Sequence, residues 1–152
     1  MVKKKLNIAI VTSKASNDDE GMKKIAINIS KYLNKFNLSN NSLISTSKIL
    51  FVLNKFDIVH FIGGPTYKTF FISKLCKILN KKVITIISFT NPFIHKNFES
   101  FIPLLAPDLC IATSNKWMKF LKKKKIIAKL QNLSGVDTKK FKNIKLKEIR
   151  KI

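Results

Sequence analysis

At 152 residues, with 45% apolar and 25% charged residues, the chain has the size and balance of one globular domain. Frequent apolar runs and 10% aromatic residues exclude intrinsic disorder, two cysteines exclude a disulfide scaffold, and no run approaches the ~20 apolar residues that cross a bilayer. Thirty basic against eight acidic residues leave a net charge of +22, which is far from ordinary.

The first element is a strand over Leu6 to Val11, a near-continuous apolar run. The start MVKKKLNIAIVTSKASNDDEG has no small-residue cleavage pattern, so this run reads as the first strand of a cytoplasmic protein rather than a signal segment. A polar loop follows, and Asn17 with Glu20 three residues on suits a helix cap. From Glu20 to Phe36, Met22, Ile25, Ala26, Ile29, Leu33 and Phe36 recur at helical steps and predict an amphipathic helix. Ser42 to Ser45 is a weak strand, Ser47 to Lys55 a short helix, and Asp57 to Ile62 a strand closed by Gly63, Gly64 and Pro65. A helix is expected over Tyr67 to Leu79, a strand over Val83 to Ile87, and a short helix over Phe98 to Leu105. Leu109 to Ala112 is a strand, Ser114 caps a helix through Leu121, and Ile126 to Leu130 is a last strand.

Strands that alternate with helices need crossover connections, and the β-branched, mostly apolar strands suit a sheet covered on both faces. The expected fold is therefore α/β: a single doubly wound, Rossmann-like parallel sheet of five to six strands over residues 1–144, with 145–152 as a basic tail. Such sheets bind ligands at the carboxyl ends of their strands. That selects the loops Thr12 to Gly21, Gly63 to Thr66, Ser88 to Asn97 and Thr113 to Lys116.

No Gly-rich dinucleotide fingerprint and no Walker loop is present, and no cofactor is expected. Gly21 at a helix head, and the pair Gly63–Gly64 after a strand, suit either close approach of backbone to a ligand or plain turns. His60 lies within a strand and reads as a hydrogen-bonded core residue. His95 lies in a ligand-side loop and is the weak candidate for acid–base chemistry, the alternative being an ordinary surface histidine. Two histidines and two cysteines far apart in sequence make no metal site, and Cys76 and Cys110 read as packing residues. Phe89, Pro92, Phe93 and Ile94 make the Ser88 to Asn97 loop unusually apolar, and an exposed partner- or lipid-binding loop is expected there.

The charge is almost entirely lysine: Arg150 is the sole arginine. Base readout and bidentate phosphate clamps favour arginine, so no specific nucleic-acid partner is expected. Lysine excess together with many Ile, Asn and Phe is what an AT-rich coding sequence supplies. The charge still attracts anionic surfaces. In NKWMKFLKKKK, Asn115 to Lys125, lysines surround Trp117, Met118 and Leu121, so weak peripheral association with an anionic membrane inner face is expected against the alternative of a core-facing helix.

Four stretches carry a resemblance: EGMKKIAINISKYL (Glu20 to Leu33), DIVHFIGG (Asp57 to Gly64), APDLCIATS (Ala106 to Ser114) and NLSGVDTKKFKNI (Asn132 to Ile144). In this order and spacing they resemble the N-terminal, acceptor-binding domain of family-four glycosyltransferases of the GT-B fold. Gly21 matches the second glycine of that family's helix-opening pair, with Glu20 in place of the first. Gly135, Val136, Asp137 and Phe141 match its domain-exit loop, with Leu133 and Ser134 in place of Pro and Asn. The resemblance implies transfer of a sugar from a nucleotide sugar to a lipid or glycan acceptor. Gly21, Gly63, Gly64 and Ser88 would then line the acceptor and phosphate side. Only 15 residues follow Asp137, so the chain reads as one half of a GT-B architecture, inactive without a donor-binding half. Ser88 also stands where the family often has a histidine, and a serine does not titrate near neutrality. The other classes of reading are a non-catalytic basic binding or scaffold protein and a generic nucleotide- or nucleic-acid-binding module.

Overall fold

The computed structural model describes residues 5–12, 21–36, 39–89 and 98–131. Their strands are β1 (Leu6–Thr12), β2 (Ser39–Ser45), β3 (Ile58–Phe61), β4 (Ile84–Phe89), β5 (Leu109–Ala112) and β6 (Ala128–Leu130). The helices are α1 (Gly21–Lys35), α2 (Ile49–Val52, continued by a 3-10 turn), α3 (Tyr67–Leu79) and α4 (Asn115–Lys123). All six strands run parallel in one sheet, in the order β2-β1-β3-β4-β5-β6. This is the doubly wound, Rossmann-like domain expected from the alternation of elements.

The order dictates where the helices go. Crossovers between parallel strands are right-handed, so a reversal in the direction of travel moves the connection to the opposite face. The chain leaves β1 toward β2 and then returns past β1 to β3. Accordingly α1 covers one face, where Ala26, Ile25, Ile29 and Leu33 meet Ile8, Ile10 and Ile62. The other face holds the main core. Ala9, Val11, Val59, Phe61, Ile87, Phe89, Cys110 and Ala112 point from alternate strand positions toward Ile49, Phe70, Ile102 and Leu121. Phe70 and Trp117 both set their rings edge-on to Phe89, at 5.9 and 5.0 Å between centroids.

Aspartates fix the amino ends of the strands. Asp57 accepts the Asn7 N–H at 2.8 Å, and its own N–H donates to the Asn7 carbonyl at 2.9 Å. Asp108 accepts from the Thr85 N–H at 2.8 Å and the Thr85 hydroxyl at 3.0 Å, and pairs with Lys77 of α3 at 3.0 Å. Burial alone would raise the Asp108 carboxyl; the Thr85 N–H, the Lys77 ammonium and the Thr85 hydroxyl outweigh it and hold it below its ordinary value. Each aspartate thus ties the first residues of two strands together and sets their register.

Several boundaries differ from the sequence reading. β2 begins at Ser39 rather than Ser42, because its polar residues pair along the whole of β1. As an edge strand it is joined to α1 by Ser30 and Asn34, which bind the Asn41 side chain. β4 runs on through Ser88 and Phe89, which pair with Ile111 and Ala112. Phe98 to Leu105 is a succession of turns, not a helix. Phe101 N–H bonds Phe98 and Leu104 N–H bonds Phe101, while Pro103 removes the donor a helix would need and disfavours helical geometry at Ile102. β6 is shorter than expected, since Ile126 and Ile127 precede its pairing with β5.

Candidate functional site

In this topology the switch point lies between β1 and β3, where the chain leaves in opposite directions and opens a crevice at the carboxyl edge. The edge is bound together strand by strand. The Thr12 carbonyl accepts from both the N–H and the hydroxyl of Thr46, at 3.0 and 2.9 Å. The Thr113 hydroxyl donates to the Phe89 carbonyl at 2.6 Å.

Three of the sequence-selected glycines lie at that edge. After β3 the chain turns at Gly63 and Gly64. Gly64 has φ 89°, a left-handed conformation that a side chain resists, and the Thr66 N–H closes the turn on its carbonyl at 3.0 Å. Thr66 then caps α3 by accepting from the Thr69 N–H at 3.1 Å. Gly21 opens α1, and its crossover geometry brings that helix start to the same edge. A Cβ built on Gly21 meets nothing within 4 Å, so the protein's own packing does not require glycine there. Gly64 is a turn residue by necessity; Gly21 leaves open space at a helix head.

Ser88 lies elsewhere than its expected loop. It is 0% exposed, inside β4, on the face of the sheet opposite the main core. Its hydroxyl meets Nε2 of His60 at 2.7 Å. His60 pairs in register with Ile86, so Ser88 is the next residue of β4 on the same face. His60 is a hydrogen-bonded strand residue, as expected, and withdrawal from water pushes its imidazole down to about 4. It is therefore neutral at pH 7, with one ring nitrogen committed to Ser88. This pair escaped the sequence reading. Its signal was the strand register, which places a histidine and a serine two positions apart on one face of adjacent strands.

Phe89 was expected in an exposed loop, and the structure corrects this. It is 0% exposed, because the extra two residues of β4 carry it under α3 and α4. Trp117 is likewise engaged, with its ring against Phe89 and Phe120, so α4 turns its aromatic residues to the core and its lysines to water. Ser114 caps α4 as expected, accepting from the Trp117 N–H at 3.3 Å. Cys76 and Cys110 are buried free thiols, pushed up to about 11 and 12 by burial, and serve packing.

His95, Phe93, the proposed cap at Asn17 and Glu20, the Gly135–Asp137 stretch and the tail 145–152 lie outside the described residues. Along the carboxyl edge, the described residues offer Thr12, Gly63, Gly64, Thr66, Thr113, Ser114 and Gln131, with no carboxylate or imidazole open to solvent. The first turns of α3 and α4, which rise from this edge, carry Lys68 and Lys116 and no acidic residue. Hydroxyls, helix-start N–H groups and lysines suit a hydroxyl-rich or anionic ligand. Among the described residues, no group of three or more His, Cys, Asp or Glu is placed to hold a metal.

The comparisons identify no relative. No family model, no curated protein and no solved structure matches this chain.

Proposed function

We propose that the chain is the acceptor-side half of a two-domain, GT-B-type sugar-transfer enzyme and works with a donor-binding half. The observation that carries this reading is the switch-point edge. There α1 opens on Gly21, where a Cβ would meet nothing within 4 Å, and a Gly63–Gly64 turn follows β3 at the same edge, both at positions where the chain resembles family-four glycosyltransferases. A bare helix head admits the phosphate or sugar of a nucleotide sugar without a side chain in the way. The hydroxyl-lined edge suits a lipid or glycan acceptor. Among the described residues the edge shows no carboxylate or imidazole open to solvent, which fits a half that binds and positions the acceptor while its donor-binding partner completes the site.

A second reading, a non-catalytic binding protein on the same fold, is favoured by one observation. The residue at the position where the family often has a histidine is Ser88, and it is buried against His60.

The test is a transfer assay with several nucleotide sugars and pooled lipid and glycan acceptors. It compares the chain alone with the chain plus a donor-binding domain encoded beside it. Turnover is expected only in the pair, retained by Gly21→Ala and abolished by Gly21→Trp. Turnover in the pair that survives Gly21→Trp, or the absence of any donor-binding partner, removes the sugar-transfer reading and leaves the binding protein.

A further inference from the structure

Helix α3 is apolar on both sides, which is unusual for a helix with one side in water. Thr69, Phe70, Ile72, Ser73 and Cys76 face the sheet and are buried. On the opposite side Tyr67, Phe71 and Ile78 share one stripe and are 73%, 56% and 61% exposed. Phe51, on α2, which packs against α3, is 89% exposed. Lys68 and Lys74 flank the stripe on either side. Tyr67, Phe71, Ile78 and Phe51 are not among the side chains that form the main core.

The charge around the stripe selects its occupant. The described carboxylates are Asp57, Glu99 and Asp108, and both aspartates are held at the amino ends of strands. A second copy of this chain would bring its own excess of lysine against the same lysines. The stripe is the outward side of a single helix, with its large side chains more than half exposed. Protruding aromatic rings flanked by lysines match the interfacial zone of an anionic bilayer, where rings enter the headgroup layer and ammonium groups meet lipid phosphates. At 13 residues α3 is too short to span a membrane, and no described helix is long and apolar enough to do so.

We propose that the outward stripe of α3, with Phe51 of α2, docks this domain onto an anionic membrane surface. The docking face is α3 and not the Lys-rich α4, whose Trp117 and Phe120 are turned into the core. The inference stands whether or not the domain transfers sugars.

Co-sedimentation decides it, with phosphatidylcholine vesicles against equal mixtures of phosphatidylcholine and phosphatidylglycerol. Binding is expected to the mixed vesicles alone and to weaken with salt. The pair Phe71→Ser and Ile78→Ser should lower the vesicle affinity about tenfold or more. Lys68→Glu with Lys74→Glu should lower it about as much without touching an apolar residue. All four side chains lie on the outward side of α3, so unchanged circular dichroism and melting temperature confirm that each variant is folded. No binding to mixed vesicles at low salt overturns the proposal. So does binding that ignores both α3 pairs and is lost with Lys119→Glu and Lys122→Glu on α4. Self-association abolished by the Phe71 and Ile78 pair, with no vesicle binding, also overturns it and gives the stripe to a second copy.

Discussion

Truncating Phe89 tests the packing that ties β4 to the helices α3 and α4. In an exposed loop, Phe89→Ala would change stability by no more than about 0.5 kcal/mol. In the structure the ring is 0% exposed and lies edge-on to both Phe70 and Trp117. Those two side chains belong to separate helices, α3 and α4, so the space left by the ring cannot close by movement of one element. A buried phenylalanine reduced to alanine costs about 3–5 kcal/mol, and the poor collapse expected here puts the value in the upper part of that range. For a domain of this size each kcal/mol lowers the melting temperature by about 2–4 °C, so a fall of roughly 10 °C or more is expected. Urea denaturation followed by circular dichroism gives the free energy directly. Phe51→Ala, at an 89% exposed position, is the matched control and should stay within about 0.5 kcal/mol of the parent. A Phe89→Ala change below about 1 kcal/mol would refute the packing argument and restore the exposed loop.

His60 sits at about 4 in the fold against 6.5 in water, so the unfolded chain takes up a proton first. Stability is therefore full above about pH 6.5 and falls by up to ~3 kcal/mol as pH drops to about 4, a slope that urea titrations should lose in His60→Gln. Asp108→Ala removes the acceptor for Thr85 and the partner of Lys77, and should cost about 1–3 kcal/mol in chemical denaturation, with Asp108→Asn recovering part of it. Gly64→Ala forces a side chain into a left-handed backbone and should cost about 1–2 kcal/mol, whereas Gly21→Ala should leave the melting temperature unchanged or raised. Among the described residues the buried Ser73 hydroxyl has no hydrogen-bond partner, so Ser73→Ala should be neutral or stabilising by about 1 kcal/mol; a clear loss would reveal a partner for that hydroxyl.

The fold was legible because its signals are local and repeated. α3 and β5 fall on the expected residues, and α4 begins where Ser114 predicts, since a capping hydroxyl and a run of apolar residues each act over a few positions. The failures share a cause in pairing across the sheet. The first residues of β2, Ser39 to Asn41, are too polar to read as a strand, yet β1 supplies a partner for each of them. Ser88 and Phe89 resemble the start of a loop, yet β5 continues beside them. Phe98 to Leu105 has helical spacing, and Pro103 breaks it, a signal that was present in the sequence and outweighed by periodicity.

The motif residues divide between the two edges of the sheet, and this division bears on function. Asp57 and Asp108, conspicuous in DIVHFIGG and APDLCIATS, stand at the amino edge and join strands to one another. They are therefore explained by the fold alone. His60 and Ser88 satisfy each other within the sheet and need no ligand either. Gly64 is accounted for by its turn. The helix head at Gly21, where a Cβ would meet nothing, and the exposed stripe of Tyr67, Phe71 and Ile78 on the far side of α3 are not accounted for in this way. A folded domain does not need a bare helix head or aromatic rings in water. One lies at the crevice where open parallel sheets take ligands, and the other on the outer surface of a lysine-rich layer.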